Sequence, residues 1–299
     1  MIQNPMRLKA ELYLLGAAFI WGTTFVLVKA SLYYIGPLSF LAIRFILAAI
    51  FIALVSRQHL SMMNWPTFKS GLILGFFLMI GYGLQTVGLQ YTSASNAAFI
   101  TGLSVVIVPI IISINTLKLP PWGTTLGIIT ASIGLFLLSV TATLEVSIGD
   151  FLELICAFGF AFQIVMVSYY SSRHNPACLA LVQTLVVGVG CMIMALFLET
   201  WPPLINAVVL QALIITVVFA TALAYLIQNV MQQYTTPTRT AVIFITEPLF
   251  AAAFAYLWAG ELLTTRAIWG CMLIIIGMLL SELNFSFFRL YRLRKIYTR

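Results

Sequence analysis

The sequence predicts an all-α membrane protein of ten transmembrane helices arranged as two inverted five-helix repeats. Three observations carry that prediction. The 299-residue chain is 62% hydrophobic and 8% charged, with a mean hydropathy of +1.07, whereas a soluble domain carries about 25% charged residues. Its second half repeats polar and glycine residues of the first at a fixed spacing. Its Lys and Arg residues sort to one side of the apolar segments. Long continuous apolar runs also contradict a β-barrel, which needs alternating strands of about ten residues.

About 20 apolar residues cross the hydrocarbon core as a helix, and ten segments meet that length in order. The first, 12–32, holds Trp21, Thr23 and Thr24 near its middle; it has no small-residue cleavage site and reads as a retained helix rather than a removed signal peptide. The second, 37–56, carries Arg44. The third, 70–90, carries Tyr82 and Gln85 on one face, three residues apart. The fourth, 94–116, contains Pro109, and the fifth, 121–140, contains Gly127 and Gly134. The sixth, 149–170, holds Phe160 and Gln163; the seventh is 178–198. The eighth, 208–232, carries Tyr225 and Gln228, the ninth, 237–258, holds Glu247-Pro248, and the tenth, 264–284, contains Gly270 and Gly277.

Tyr82 and Gln85 recur 143 positions later as Tyr225 and Gln228. At that offset Gln90-Tyr91-Thr92 falls on Gln233-Tyr234-Thr235, Gly127 on Gly270 and Gly134 on Gly277. Leu, Ile and Ala agree by chance in apolar sequence; polar and glycine agreements do not. The first two helices align at an offset of 139, pairing Trp21 with Phe160, Thr24 with Gln163, Pro37 with Pro176 and Arg44 with Gln183. The units are then 11–140 and 149–284, followed by a basic tail, 285–299. Five spans is an odd number, so the second copy enters the membrane from the opposite side to the first.

Charge supplies the orientation. Arg7, Lys9, Arg57, Lys69, Lys118, Arg173, Arg239 and the tail cations Arg289, Arg292, Arg294, Lys295 and Arg299 fall on one side. Glu145, Asp150, Glu153, Glu199 and Glu261 fall on the other, with Lys29 and Arg266 as its few cations. Lys and Arg in short loops stay cytoplasmic, which predicts a multi-pass protein of the inner (plasma) membrane with both termini cytoplasmic. Lys29 is expected to snorkel to the outer interface, and Asn96 and Arg239, at aligned helix starts, to cap or anchor. The tail reads as an interfacial anchor, and the sequon at Asn284-Phe285-Ser286 as chance. Cys156, Cys178, Cys191 and Cys271 lie within spans without metal-ligand spacing, as small buried hydrophobes.

Ala17-Ala-Phe-Ile-Trp21-Gly-Thr-Thr-Phe25, followed by Arg44-Phe45, resembles the opening of EamA-type carriers of the drug/metabolite transporter superfamily. Tyr91-Thr-Ser-Ala-Ser-Asn-Ala-Ala-Phe-Ile-Thr-Gly102, Glu247-Pro248 and Gly260-Glu261 are similar to that family's later signatures. In this order the motifs cover essentially the whole chain. The resemblance implies export of metabolites, amino acids or drugs. One departure is Phe160-Ala161, where the family pattern often has a Trp.

Polar groups inside spans are costly and are functional hypotheses by default. An acidic side chain such as Glu247 costs about 2.5–3.5 kcal/mol at a helix centre. It suits a proton-coupling site, or else a carboxyl bonded to a neighbouring helix or paired with Arg44. Arg44 cannot shed its charge; it neutralises either Glu247 or an anionic substrate. Tyr82, Gln85, Tyr225 and Gln228 offer aromatic surface with donors and acceptors, and inversion brings their two faces together. Trp21, Thr24 and Gln163 complete the expected substrate site. Pro109 and Pro248 mark breaks that serve packing or gating.

The expected cavity lies between helices 1, 3 and 4 and helices 6, 8 and 9. His59 and His174 fall in loops, and no nucleophile elbow, metal motif or phosphate loop appears. The chain reads as a non-enzyme without cofactor or metal. Its expected partners are a small-molecule substrate, the lipid bilayer and a proton, with no nucleic acid, acting as a monomer or homodimer. The function expected is alternating-access export; uniport or exchange of organic anions is the alternative. An intramembrane enzyme would need clustered His, Asp or Glu, and a scaffold would not need polar residues repeated in two halves.

Overall fold

The computed structural model describes residues 5–92, 94–139, 147–259 and 265–282. The regular elements among them are helical: α1 (Pro5–Ser31), α2 (Pro37–Val55), α3 (Trp65–Gly88), α4 (Ala94–Gly102), α5 (Ser104–Thr116), α6 (Trp122–Ser139), α7 (Ile148–Tyr170), α8 (Pro176–Leu198), α9 (Ala207–Ile215), α10 (Ala224–Met231), α11 (Pro237–Phe244), α12 (Glu247–Ala259) and α13 (Thr265–Glu282). A π-helical segment, Thr216–Leu223, joins α9 to α10. Among the described residues, six helices are long and apolar enough to cross a bilayer, and three shorter apolar helices accompany them. Leu12, Phe19 and Val26 on α1, and Leu47, Ile50 and Leu54 on α2, face outward, which is the pattern of helices whose solvent is lipid. The predicted tail 285–299, Glu145, Gly260-Glu261 and the Asn284 sequon lie outside the described residues.

Local chemistry sets where several helices start. Pro37, Pro66, Pro176 and Pro237 sit in first turns, where a missing N–H costs nothing. Asn64, Asn175, Asn206 and Thr236 cap their helices with side-chain oxygens, and Ser147 with Asp150 forms a capping box. Each cap contributes about 1 kcal/mol.

Two expected single helices are each in two pieces. The fourth segment is interrupted at Leu103, between α4 and α5, and the ninth at Ile245–Thr246, between α11 and α12. At the 143-residue spacing Leu103 corresponds to Thr246, so the two interruptions fall at matching positions. Pro109 does not make the first break, because it lies inside α5. Pro248 follows the second break directly, in the first turn of α12, where proline is tolerated. The eighth segment was expected to be continuous α-helix; its middle is the π segment instead.

Contacts at the helix ends fix how the chain runs. Lys29, at the end of α1, donates to the Thr92 carbonyl at 3.0 Å, while the Thr92 hydroxyl donates to Asp150 at 2.6 Å, at the start of α7. So α7 begins where α1 ends, and Lys29 caps the chain after α3 rather than snorkelling free. At the opposite end Glu11 accepts from Arg7 at 3.0 Å and from Arg239 at 3.1 Å. The turns holding His59 and His174 meet through Cys178 donating to the His59 carbonyl and Thr67 bonding His174.

Helices α6 and α13 cross on glycine. A Cβ on Gly127 would lie 2.6 Å from the Gly277 carbonyl, and one on Gly134 2.6 Å from the Gly270 carbonyl. Small residues let membrane helices approach this closely. The repeated glycines are therefore the contact itself.

Candidate functional site

Two adjoining cavities of about 60 and 30 Å³ occupy the middle of the bundle. The larger is lined by Trp21 and Phe25 from α1, Tyr82 and Gln85 from α3, Ala98, Thr101 and Gly102 from α4, and Ser104 from α5. Its other wall is Phe160, Gln163 and Ile164 from α7, Tyr225 and Gln228 from α10, Phe244 from α11, and Glu247 and Pro248 from α12. Thr24, Arg44 and Thr86 line the smaller one, which shares Trp21, Tyr82, Gln85 and Glu247. Each water needs roughly 10–15 Å³ on this measure, so the larger cavity has room for a few waters.

The nine residues singled out from sequence thus converge. Trp21, Tyr82, Gln85, Gln163, Tyr225, Gln228 and Glu247 meet in the larger cavity, and Thr24 and Arg44 meet in its neighbour. The larger cavity's walls come from the predicted segments 1, 3, 4, 6, 8 and 9, and Arg44 of segment 2 lines the smaller.

An aromatic frame shapes the space. The Trp21 ring lies 5.5 Å from Tyr225, and its counterpart Phe160 lies 5.2 Å from Tyr82. Tyr82 and Tyr225 face one another at 6.2 Å. Phe160 therefore takes the same station as Trp21 in the opposite wall, although a phenylalanine has no indole N–H to place. Trp21 spends that N–H on the Ala220 carbonyl at 2.7 Å.

Arg44 is 3% exposed. Its Nε donates to the Thr221 hydroxyl at 2.7 Å, a second nitrogen reaches the Ala220 carbonyl at 3.4 Å, and the guanidinium sits 5.0 Å from the Tyr82 ring centre. Both acceptors belong to the π segment. A π turn shifts the helix's own hydrogen bonds by one residue and recurs at functional sites; here it presents Ala220 to Trp21 and Arg44 together. Of the alternatives open to Arg44, a direct salt bridge to Glu247 within 4.0 Å is not among those the described residues form.

Glu247 opens α12 at the backbone break and lines both cavities. Among the described residues no side-chain hydrogen bond ends on its carboxyl. Helix α1 reaches this break through Gly22, where a Cβ would lie 2.5 Å from the Glu247 carbonyl.

The glutamines are less free than their residue types imply. Gln163 and Gln228 bond reciprocally at 3.3 and 3.1 Å, and Gln163 also donates to Gln183 at 3.2 Å. Gln85 instead donates to Thr101 at 3.2 Å. Thr24 gives its hydroxyl to the Trp21 carbonyl at 2.8 Å. Two polar residues in or behind the cavity wall were not among the expected site residues. Thr101 stood only within the family-like run 91–102, and Glu153 was grouped with the acids of the outer side. Glu153 is instead fully buried in α7 and accepts from Thr101 at 2.9 Å. The signal was available: Glu153 lies inside the sixth predicted span, where an acid requires explanation.

The EamA-like transporter family model matches residues 8–140 and again 147–283. An "Uncharacterized transporter" of Archaeoglobus fulgidus is 36% identical over 282 residues, covering 94% of this chain and 88% of that protein. "Uncharacterized transporter YyaM" of Bacillus subtilis is 26% identical over 287 residues, covering 92% and 94%. A crystallographically solved chain superposes with a TM-score of 0.76 at 15% identity, over 92% of this chain and 97% of that one, which is a likeness of fold.

Proposed function

The chain belongs to the EamA-like transporter family, and from that premise we propose that this membrane transporter is a secondary active carrier. In this reading it exports small organic metabolites, amino-acid-like or drug-like, by alternating access between two inverted five-helix units, 11–140 and 149–284. The observation that carries the reading is the central cavity, whose walls draw corresponding residues from both halves: Trp21 with Phe160, Tyr82 with Tyr225, Gln85 with Gln228. Secondary transporters built of inverted repeats bind substrate near the midplane at the interface of the copies. The family match to each half separately supports two units, and α7 starting where α1 ends supports their inversion.

Two closures related by the same correspondence support alternation. Glu11 aligns with Asp150 and Thr235 with Thr92. Thr235 donates to Glu11 at 3.3 Å, and Thr92 donates to Asp150 at 2.6 Å. Each acid lies in the early turns of the first helix of one unit and is held by a threonine that follows the third helix of the other. An exchange of the two units would interchange these contacts.

Substrate in this reading packs against Trp21, Phe160, Tyr82 and Tyr225 and bonds to Gln85, Gln228 and Gln163, while Glu247 exchanges a proton with the cavity. Arg44, with donors to spare beyond Thr221 and Ala220, supports organic anions as the alternative substrate class. Uptake into proteoliposomes, screened over amino acids, nucleosides, organic acids and cationic drugs, tests the reading. For the substrate so found, Gln85→Leu with Gln228→Leu is expected to lower flux about five- to 150-fold, because each loses a polar contact of about 0.5–1.5 kcal/mol. Glu247→Gln is expected to retain binding and change the pH dependence of flux. Unchanged flux in the double variant removes the glutamines from the site; an unchanged pH profile removes Glu247 from coupling.

A further inference from the structure

Behind the cavity wall lies a second carboxyl that the reading above does not use. Glu153 is 0% exposed, and burying an ion costs several kcal/mol unless it is compensated. One of its oxygens, Oε2, accepts the Thr101 hydroxyl at 2.9 Å; the other, Oε1, is buried without a hydrogen-bond partner. Thr101 in turn accepts from Gln85 at 3.2 Å and lines the larger cavity. A continuous chain thus runs from the cavity through one hydroxyl to an incompletely satisfied acid.

Among the described residues no cation pairs with Glu153; Lys29 of α1 is taken up by the Thr92 carbonyl, beside the Thr92–Asp150 contact one turn before Glu153 on α7. On α7 itself the neighbours are Asp150 and Cys156, whose sulfur lies 3.7 Å from the Thr101 hydroxyl. Helices α4 and α5 carry no titratable side chain. Helix α3 contributes Tyr82, turned toward Arg44 and Tyr225, and Lys69 at its far end. Helix α11 contributes Arg239, paired with Glu11, and the turn after α10 contributes Tyr234. Glu247 is the other carboxyl facing this cavity. No set of oxygens here matches the six or more that a hard metal ion takes. A proton needs no such shell.

We propose that Glu153 is a second proton-binding group of the carrier, reached from the cavity through the Thr101 hydroxyl. This rests on the transporter reading for its purpose, though not for its chemistry. Protonated water in the cavity passes a proton to Thr101 Oγ1, while the proton already on Oγ1 moves to Glu153 Oε2. The carboxylate becomes a neutral acid, the water is left neutral, and the threonine is unchanged in composition. The hydrogen bond survives with its sense reversed: Oε2–H now donates to Oγ1. The Thr101 hydroxyl is then free to donate into the cavity, where before it could only accept. Protonation behind the wall thereby changes what the wall offers a substrate.

Infrared spectra of the purified full chain, recorded without substrate across a pH titration, read this directly. Wild type is expected to show protonated-carboxyl bands of which one is lost in Glu153→Gln and a different one in Glu247→Gln. Thr101→Val keeps the acid and the side-chain volume; it is expected to shift the Glu153 band and slow its exchange in deuterated water. Protonated-carboxyl intensity equal to wild type in Glu153→Gln at every pH overturns the proposal. So does a Thr101→Val spectrum with unshifted band and unslowed exchange, which decides the matter even if Glu153→Gln fails to fold. The Glu153 band with no substrate flux would sink the carrier reading instead, and proton-coupled flux without that band would sink this inference alone.

Discussion

Arg44 carries a permanent charge into the bundle, and its hydrogen-bond acceptors, Thr221 and Ala220, both come from the π segment of the eighth span. A hydrogen bond to a charged group is worth about 1.5–3 kcal/mol. Thr221→Val, which keeps the shape and removes the acceptor, should therefore lower stability by about that amount, read as reduced denaturation midpoint in detergent. An unchanged midpoint would mean that Arg44 finds an equal partner elsewhere, Glu247 being the acidic candidate in the shared cavity. That Arg44 needs a partner was legible from its position in the sequence, since a cation inside an apolar span demands one. Its partner was not legible. Thr221 carries no charge and lies 177 residues away, so only the backbone geometry of the π segment brings the two together. Glu153 escaped for a related reason. Loop acids and span acids look alike within four residues of a helix start, and its partner Thr101 is one polar residue in an apolar run.

At the scale of helices, length and hydropathy identified where chain crosses the bundle but not where it breaks. Proline marks a missing donor and so drew the expected interruption to Pro109, whereas the interruptions fall at Leu103 and at Ile245–Thr246, the second where α1 packs closely. Gly22 shows how. A Cβ there would strike the backbone at Glu247, so α1 holds the start of α12 against the cavity only because residue 22 has none. The crossing of α6 with α13 obeys the same rule, and there the sequence repeat had already given the residues. Gly277→Leu puts a side chain where the Gly127 carbonyl lies 2.6 Å from even a Cβ. Overpacking of this kind costs about 1–3 kcal/mol, and backbone on the far side cannot rotate away as a side chain could. The variant should lose stability by at least that much, measured by denaturation in detergent. Equal loss is expected for Gly134→Leu, its counterpart; a large effect at one site and none at the other would break the correspondence between the halves.

For the molecule as a whole, the proposed alternation turns on two acid–threonine contacts of the same chemistry at opposite ends of the bundle. Along α1, Glu11 and Lys29 are 18 residues apart, which at about 1.5 Å per residue is roughly 27 Å, close to the thickness of a hydrocarbon core. The Glu11–Thr235 contact lies at one end of that span, and the Lys29–Thr92–Asp150 cluster at the other. Removing one threonine hydroxyl costs its closure about 1 kcal/mol, which is about a fivefold change in the population of the opened state. Thr235→Val should then favour opening toward the Glu11 end, and Thr92→Val opening toward the Asp150 end. Ala98 lines the cavity and is buried, so an Ala98→Cys thiol reports access when a membrane-impermeant maleimide is applied from one face of sealed vesicles at a time. Labelling of the otherwise unaltered chain supplies the background from the native cysteines. The two threonine variants should raise labelling from opposite faces. If both raise it from the same face, or neither changes it, the acid–threonine pairs are ordinary helix-end contacts, and the alternation must be sought in the broken helices at Leu103 and Thr246.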